Sequence, residues 1–140
     1  MQQSILRVAG VAVTVAVLVG IFALPSAAAS PTFIVNVSPN AIKADETTTI
    51  QVRVANGVPN CVYLVSITVK DPSNVSHTKT VSFKTSSSGN GATSTTYPDT
   101  FSNAPNTNTQ GTYRVAAMFK CGAQPYSTPA ATATFKVERD

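Results

Sequence analysis

The chain has one histidine, two cysteines, no tryptophan and few charges, with six Asp and Glu against ten Lys and Arg in 140 residues. Each shortage excludes something. A hydrolytic triad or a His-rich metal site would have to be built on His77, and nothing near it in the sequence completes either. His77 reads as an outward position of an alternating segment, so it is expected on the surface. Met118 alone does not make a copper site, which needs several His or Met ligands. The cations are spread singly along the chain, whereas a basic stripe for nucleic acid needs clustering. No nucleic-acid partner is therefore expected, and the net charge of +4 reads as a mildly cationic, well-solvated surface. Acids are as sparse. Asp45 and Glu46 fall in a turn, Asp71 before Pro72 suits an Asx turn, and Asp99 lies in a loop. None has a visible partner for acid–base work. Ser86-Ser87-Ser88-Gly89-Asn90-Gly91 lacks the Lys and following helix of a phosphate loop and reads as a flexible turn. Catalytic, cofactor and metal residues are thus expected to be absent, and the chain is expected not to be an enzyme.

One long apolar run is present, the seventeen uncharged residues from Val8 to Leu24 behind Arg7. Pro25-Ser26 breaks it, and Ala27-Ala28-Ala29 supplies a small-residue cleavage pattern before Ser30. Residues 1–29 are expected to be a signal peptide and residues 30–140 the exported domain, with net charge +3 once Arg7 is lost. The alternative is an uncleaved anchor, although seventeen helical residues span about 25 Å against a hydrocarbon core of about 30 Å. Membrane contact is expected through such a leader alone, since Lys136-Val137-Glu138-Arg139-Asp140 is not an apolar tail. The expected location is secreted or on the cell surface, where two cysteines meet an oxidising compartment. Asn36-Val37-Ser38 and Asn74-Val75-Ser76 match the glycosylation triplet at Asn36 and Asn74.

Past the leader no stretch of eleven or more residues has helical periodicity, and period two dominates instead. Its clearest case is Gly111 to Cys121, with Tyr113, Val115, Ala117 and Phe119 on one face. Phe33, Val35 and Val37 mark a first strand. Ile50, Val52 and Val54 mark a second, ended by Asn56-Gly57. Tyr63, Val65, Ile67 and Val69 mark a third, with Val62 and Leu64 thickening its other face, as a central strand requires. Asp71-Pro72-Ser73-Asn74 is a turn. Val81 and Phe83 follow on a fourth strand, Ala92 to Tyr97 is a weak fifth, and Ala131, Ala133, Phe135 and Val137 line the last. Between Pro98 and Gln110 lies a long polar crossover that Phe101 is expected to tuck against the core. About seven short strands in some 110 residues predict an all-β antiparallel sandwich.

Gly111-Thr112-Tyr113-Arg114-Val115 resembles the G-T-Y-x-V signature of extracellular immunoglobulin-like domains, especially macroglobulin-type and related prokaryotic surface modules. Val69-Lys70-Asp71-Pro72, Tyr97-Pro98-Asp99-Thr100-Phe101 and Ala131 to Val137 fit the same pattern, which covers most of residues 33–138. The resemblance implies that Tyr113 ties its strand to the preceding corner. It departs from antibody domains in having Val115 where their inter-sheet Cys stands, and in lacking Trp. With no thioester motif, it implies a building block, not a protease trap. In such a sheet the strands opened by Cys61 and closed by Cys121 are antiparallel neighbours, which implies a Cys61–Cys121 disulfide; two buried free thiols are the alternative.

That bridge would staple the loops 56–60 and 122–129, where Asn60, Gln124, Tyr126 and Ser127 are candidate contacts. Tyr126 is either an aromatic anchor for a partner or a lid on the core's end. The expected function is a secreted or cell-surface structural or adhesive binding module without catalysis. Its expected partner is a protein or glycan at the cell surface, with self-association as a further option. One alternative is a filament subunit assembling by donation of the strand Ser30 to Val37. Another is a small extracellular enzyme or metal carrier.

Overall fold

Apolar residues alternating with threonine, serine and lysine set the strands, and the turns fall where Asn, Gly and Pro interrupt that alternation. The computed structural model describes residues 30–139; the expected leader, residues 1–29, lies outside the described residues. The strands are β1 (Thr32–Ser38), β2 (Ala41–Lys43), β3 (Thr48–Ala55), β4 (Val62–Lys70), β5 (Ser76–Lys84), β6 (Gly91–Tyr97), β7 (Gly111–Cys121) and β8 (Ala131–Glu138). They form a three-stranded sheet in the order β1-β3-β6 and a five-stranded sheet in the order β2-β8-β7-β4-β5. Every pairing is antiparallel except that of β2 with β8. The strand not anticipated is β2, whose three residues are too few to show alternation. The strand considered as a donor is taken up at home, β1 pairing with β3 from Thr32↔Ala55 to Ser38↔Thr49.

The inner faces meet in one core. Ile50, Val52 and Val54 of β3 are buried with Val65, Ile67 and Val69 of β4 and Val115, Ala117 and Phe119 of β7. Each of the Val, Ile and Phe side chains contributes about 1.5–3 kcal/mol of transfer free energy, and Ala117 less. Aromatic rings close both ends. At one end Tyr113 stacks on Phe135 at 4.8 Å, and Tyr97 meets Phe101 edge-on at 5.0 Å. At the other Phe33 stacks on Phe119 at 4.8 Å, and Tyr63 on Phe83 at 5.9 Å. The 98–110 crossover is tucked as expected. Phe101 is buried, the Thr107 hydroxyl donates to Glu46 O (2.8 Å), and the Tyr97 hydroxyl donates to Asn106 O (3.3 Å). Tyr113 makes the expected corner bond, its hydroxyl donating to Thr109 O at 2.7 Å.

β4 is central, between β7 and β5. β5 is a free edge whose inward Lys79 reaches across to the other sheet, donating to Thr95 Oγ1 (2.6 Å) and Asp99 O (3.3 Å). An inward charge on an edge strand discourages pairing with a further chain. The expectation of dispersed cations is corrected by the fold. Strand parity gathers many of them on the outer face of the five-stranded sheet, since residues far apart in sequence share a face whenever they share parity and register.

Candidate functional site

The disulfide-bearing end is assembled from three loops. Cys61 and Cys121 are bridged, with their Cα atoms 6.1 Å apart, so the free-thiol alternative falls away. Asn56 (φ 58°) and Asn60 (φ 53°) take the left-handed conformation that lets the β3–β4 loop reverse tightly. Gly57 N donates to Gly89 O at 2.9 Å, and the two glycines pack so closely that a Cβ on Gly89 would stand 2.1 Å from Gly57 O. Val58 is pinned on both sides. Its N–H donates to the Tyr63 hydroxyl (2.9 Å), and its carbonyl accepts from the Thr85 hydroxyl (2.6 Å). Thr85 Oγ1 also accepts from Cys61 N at 2.9 Å. Thr85 is buried, just past the end of β5.

These loops enclose a shallow hollow of about 230 Å³. Its floor is Phe33, Tyr63 and Phe119, and its rim is Val58 from one loop with Gln124 and Pro125 from the other. Val58 and Val62 are 50% and 54% exposed, unusual for valines so near a core. Of the anticipated contacts, Gln124 lines the hollow and is exposed. Ser127 also lines it but is occupied within the chain. Its N–H donates to Phe119 O (2.7 Å), and its hydroxyl accepts from Phe119 N (3.0 Å). Asn60 is exposed beside the hollow, its backbone N–H donating to Ser86 O at 3.1 Å. Tyr126 is half-buried, with the Lys120 ammonium 4.9 Å from its ring centre, so it lies flat under a cation and outside the hollow. Both glycosylation candidates are exposed, Asn36 on the outer face of β1 and Asn74 in the β4–β5 turn at φ 66°.

His77 is a correction, being 2% exposed rather than on the surface. It continues the inward series of Phe83, Val81 and Lys79 by period two, and that parity was the available signal. Its Nδ1 lies 2.9 Å from Ser102 O, and its Nε2 lies 2.9 Å from Asp71 Oδ2. Both neighbours are acceptors, so a neutral ring, with one N–H, serves one of them and an imidazolium serves both. Asp71 makes the expected Asx turn, Oδ1 accepting from Ser73 N (2.9 Å) and Val75 N (3.0 Å). Desolvation pushes the Asp71 carboxyl up, but the His77 hydrogen bond and the two amides outweigh it and hold the group below its ordinary value of 3.8. The pair braces the β4–β5 turn against the crossover. Among the described residues no three of His, Cys, Asp and Glu lie close enough to share a metal ion.

No family model and no curated protein matches the chain. Solved structures do. The crystal structure of the CARDB domain of the PF1109 protein from Pyrococcus furiosus, in complex with di-metal ions, superposes with a TM-score of 0.50 at 14% identity, covering 78% of this chain and 93% of that one. The solution structure of the same domain gives 0.48 at 15%, covering 78% and 94%. Macromomycin gives 0.39 at 12%, covering 78% and 100%. The first likeness bears on the fold alone. It supports an immunoglobulin-like sandwich without singling out the macroglobulin type.

Proposed function

We propose that this immunoglobulin-like sandwich is an exported, non-catalytic binding module of the macroglobulin-type or prokaryotic surface kind, working outside the cell or on its surface. Its partner, a cell-surface protein, docks on the disulfide-stapled end. The observation that carries this reading is the hollow over Phe33, Tyr63 and Phe119, rimmed by the exposed Val58 and held by loops tied down at every turn. Apolar surface kept in water on a rigid frame is what an interface core needs, because little ordering entropy is lost on docking. Export is supported by the apolar run and small-residue site before Ser30.

Two measurements test it. The exported protein should begin at or near Ser30 by mass spectrometry; an intact Met1 or Gln2 in the membrane fraction would support an anchor instead. Val58→Asp and Tyr126→Ala should leave stability within about 1 kcal/mol of the parent while weakening cell-surface binding or self-association. Unchanged binding in Val58→Asp removes the hollow from the interface. A large stability loss in Tyr126→Ala returns that ring to a structural part.

A further inference from the structure

Setting Arg7 aside, the ten Lys and Arg reduce to nine, and six of these stand on the outer face of the five-stranded sheet. They are Lys43, Lys70, Lys84, Arg114, Lys120 and Lys136, all of outward parity. Among the described residues the one carboxylate of that parity is Glu138, at the far edge beside Lys43. Lys70 and Arg114 are direct cross-strand partners in the β4–β7 register. Like charges placed opposite one another are unfavourable, and among the described residues no carboxylate pairs with either. Among the described residues the one ion pair is His77–Asp71, and both Asp71 oxygens are taken by His77 and by the amides of Ser73 and Val75.

A cleft of about 570 Å³ opens at this pair. Thr134, Arg114, Lys70 and Ser76 form one row across four strands, and Thr132, Ala116 and Thr68 form the next. Small residues in the second row lower the floor, and hydroxyls surround it. Lys136 continues the charge about 7 Å beyond, and Lys120 lies about 20 Å the other way, at roughly 3.4 Å per residue along the strand. Hydroxyls that both donate and accept, interleaved with unpaired cations, suit a ligand with the complementary chemistry.

We propose that this face binds an acidic polysaccharide, with a carboxylate or sulfate held between Lys70 and Arg114 and neighbouring sugar hydroxyls bonded to Thr68, Thr132 and Thr134. The cleft at Lys70 and Arg114 has no aromatic residue in its lining on which nucleobases would stack, which disfavours single-stranded nucleic acid. It also has no helix or ribbon to enter a duplex groove. The inference rests on charge and register at the Lys70–Arg114 cleft, which shares no lining residue with the hollow at the stapled end, so it stands or falls apart from the reading above.

The test uses the full-length protein with polygalacturonate as the carboxylated probe, heparin as the sulfated one, and dextran as the neutral control. Duplex DNA and phosphatidylserine vesicles complete the set. Expected are binding of one or both acidic polysaccharides that weakens with added salt, none of dextran, and weaker binding of DNA and vesicles. Lys70→Gln with Arg114→Gln should weaken polysaccharide binding about ten-fold or more without lowering Tm, because the substitutions relieve a repulsion. Arg53→Gln with Arg139→Gln removes the same charge elsewhere and should change binding little. The site is overturned if neither acidic polysaccharide binds, if both double variants lose affinity equally, or if DNA or vesicles bind more tightly.

Discussion

Tyr113 and Asp71 each tie a loop to the sandwich through a single side chain. Removing the Tyr113 hydroxyl in Tyr113→Phe gives up one 2.7 Å bond to Thr109 O while keeping the ring on Phe135. The expected cost is about 1 kcal/mol in urea unfolding. Burial raises the phenol pKa of both Tyr113 and Tyr97 above the ordinary value of 10.0, so in an alkaline absorbance titration these two phenols should ionise only above that value. Asp71→Asn loses the charge-assisted bonds to His77 and the turn amides, and about 1–3 kcal/mol is expected. The folded state holds the Asp71 carboxyl below 3.8, so its stabilisation is complete above that value and is lost as pH falls through the folded one. Urea midpoints taken from about pH 5 down to about pH 2 should therefore fall more steeply for the parent than for Asp71→Asn. The tyrosine corner and the Asx turn were legible because each is a local pattern. The His77–Asp71 bond was not, because it depends on which way an edge strand faces. Partial burial blurs the alternation of β5, whose inward series mixes His77 and Lys79 with Val81 and Phe83.

For the strands, sequence and structure agree wherever one face is fully buried, as on β3, β4 and β7. There a one-residue slip would turn the entire apolar set to water. The loops at the stapled end follow a different logic, because they are fixed by close backbone approach. Gly89 sits at φ 80° with no room for a Cβ beside Gly57 O. Gly89→Ala should thus cost more than about 2 kcal/mol in thermal unfolding and loosen the β3–β4 loop. A sequence rich in Ser, Gly and Asn gave no sign that this segment was packed, since small polar residues serve a floppy turn and a tight one equally. The cationic face was hidden for a related reason. Its members come from five strands, and register, which cannot be read from spacing alone, brings them together.

On the scale of the molecule the disulfide is the largest single constraint on the unfolded chain. It closes a separation of 60 residues, worth about 4 kcal/mol in the chain-entropy model. Replacing Cys61 and Cys121 with Ala should lower stability by up to that amount, and the unreduced parent should take up no thiol reagent after denaturation. The same bridge also governs how the domain would bear a load. If residues 31 and 138 are pulled apart, the parallel β2–β8 pair is loaded along its strands in shear, and rupture releases the chain only outside the closed loop. The 60 residues between the cysteines, about 210 Å of contour at roughly 3.5 Å each, stay out of the extension until the bridge is reduced. An oxidised domain is in this sense a short tether, and a reduced one a long tether.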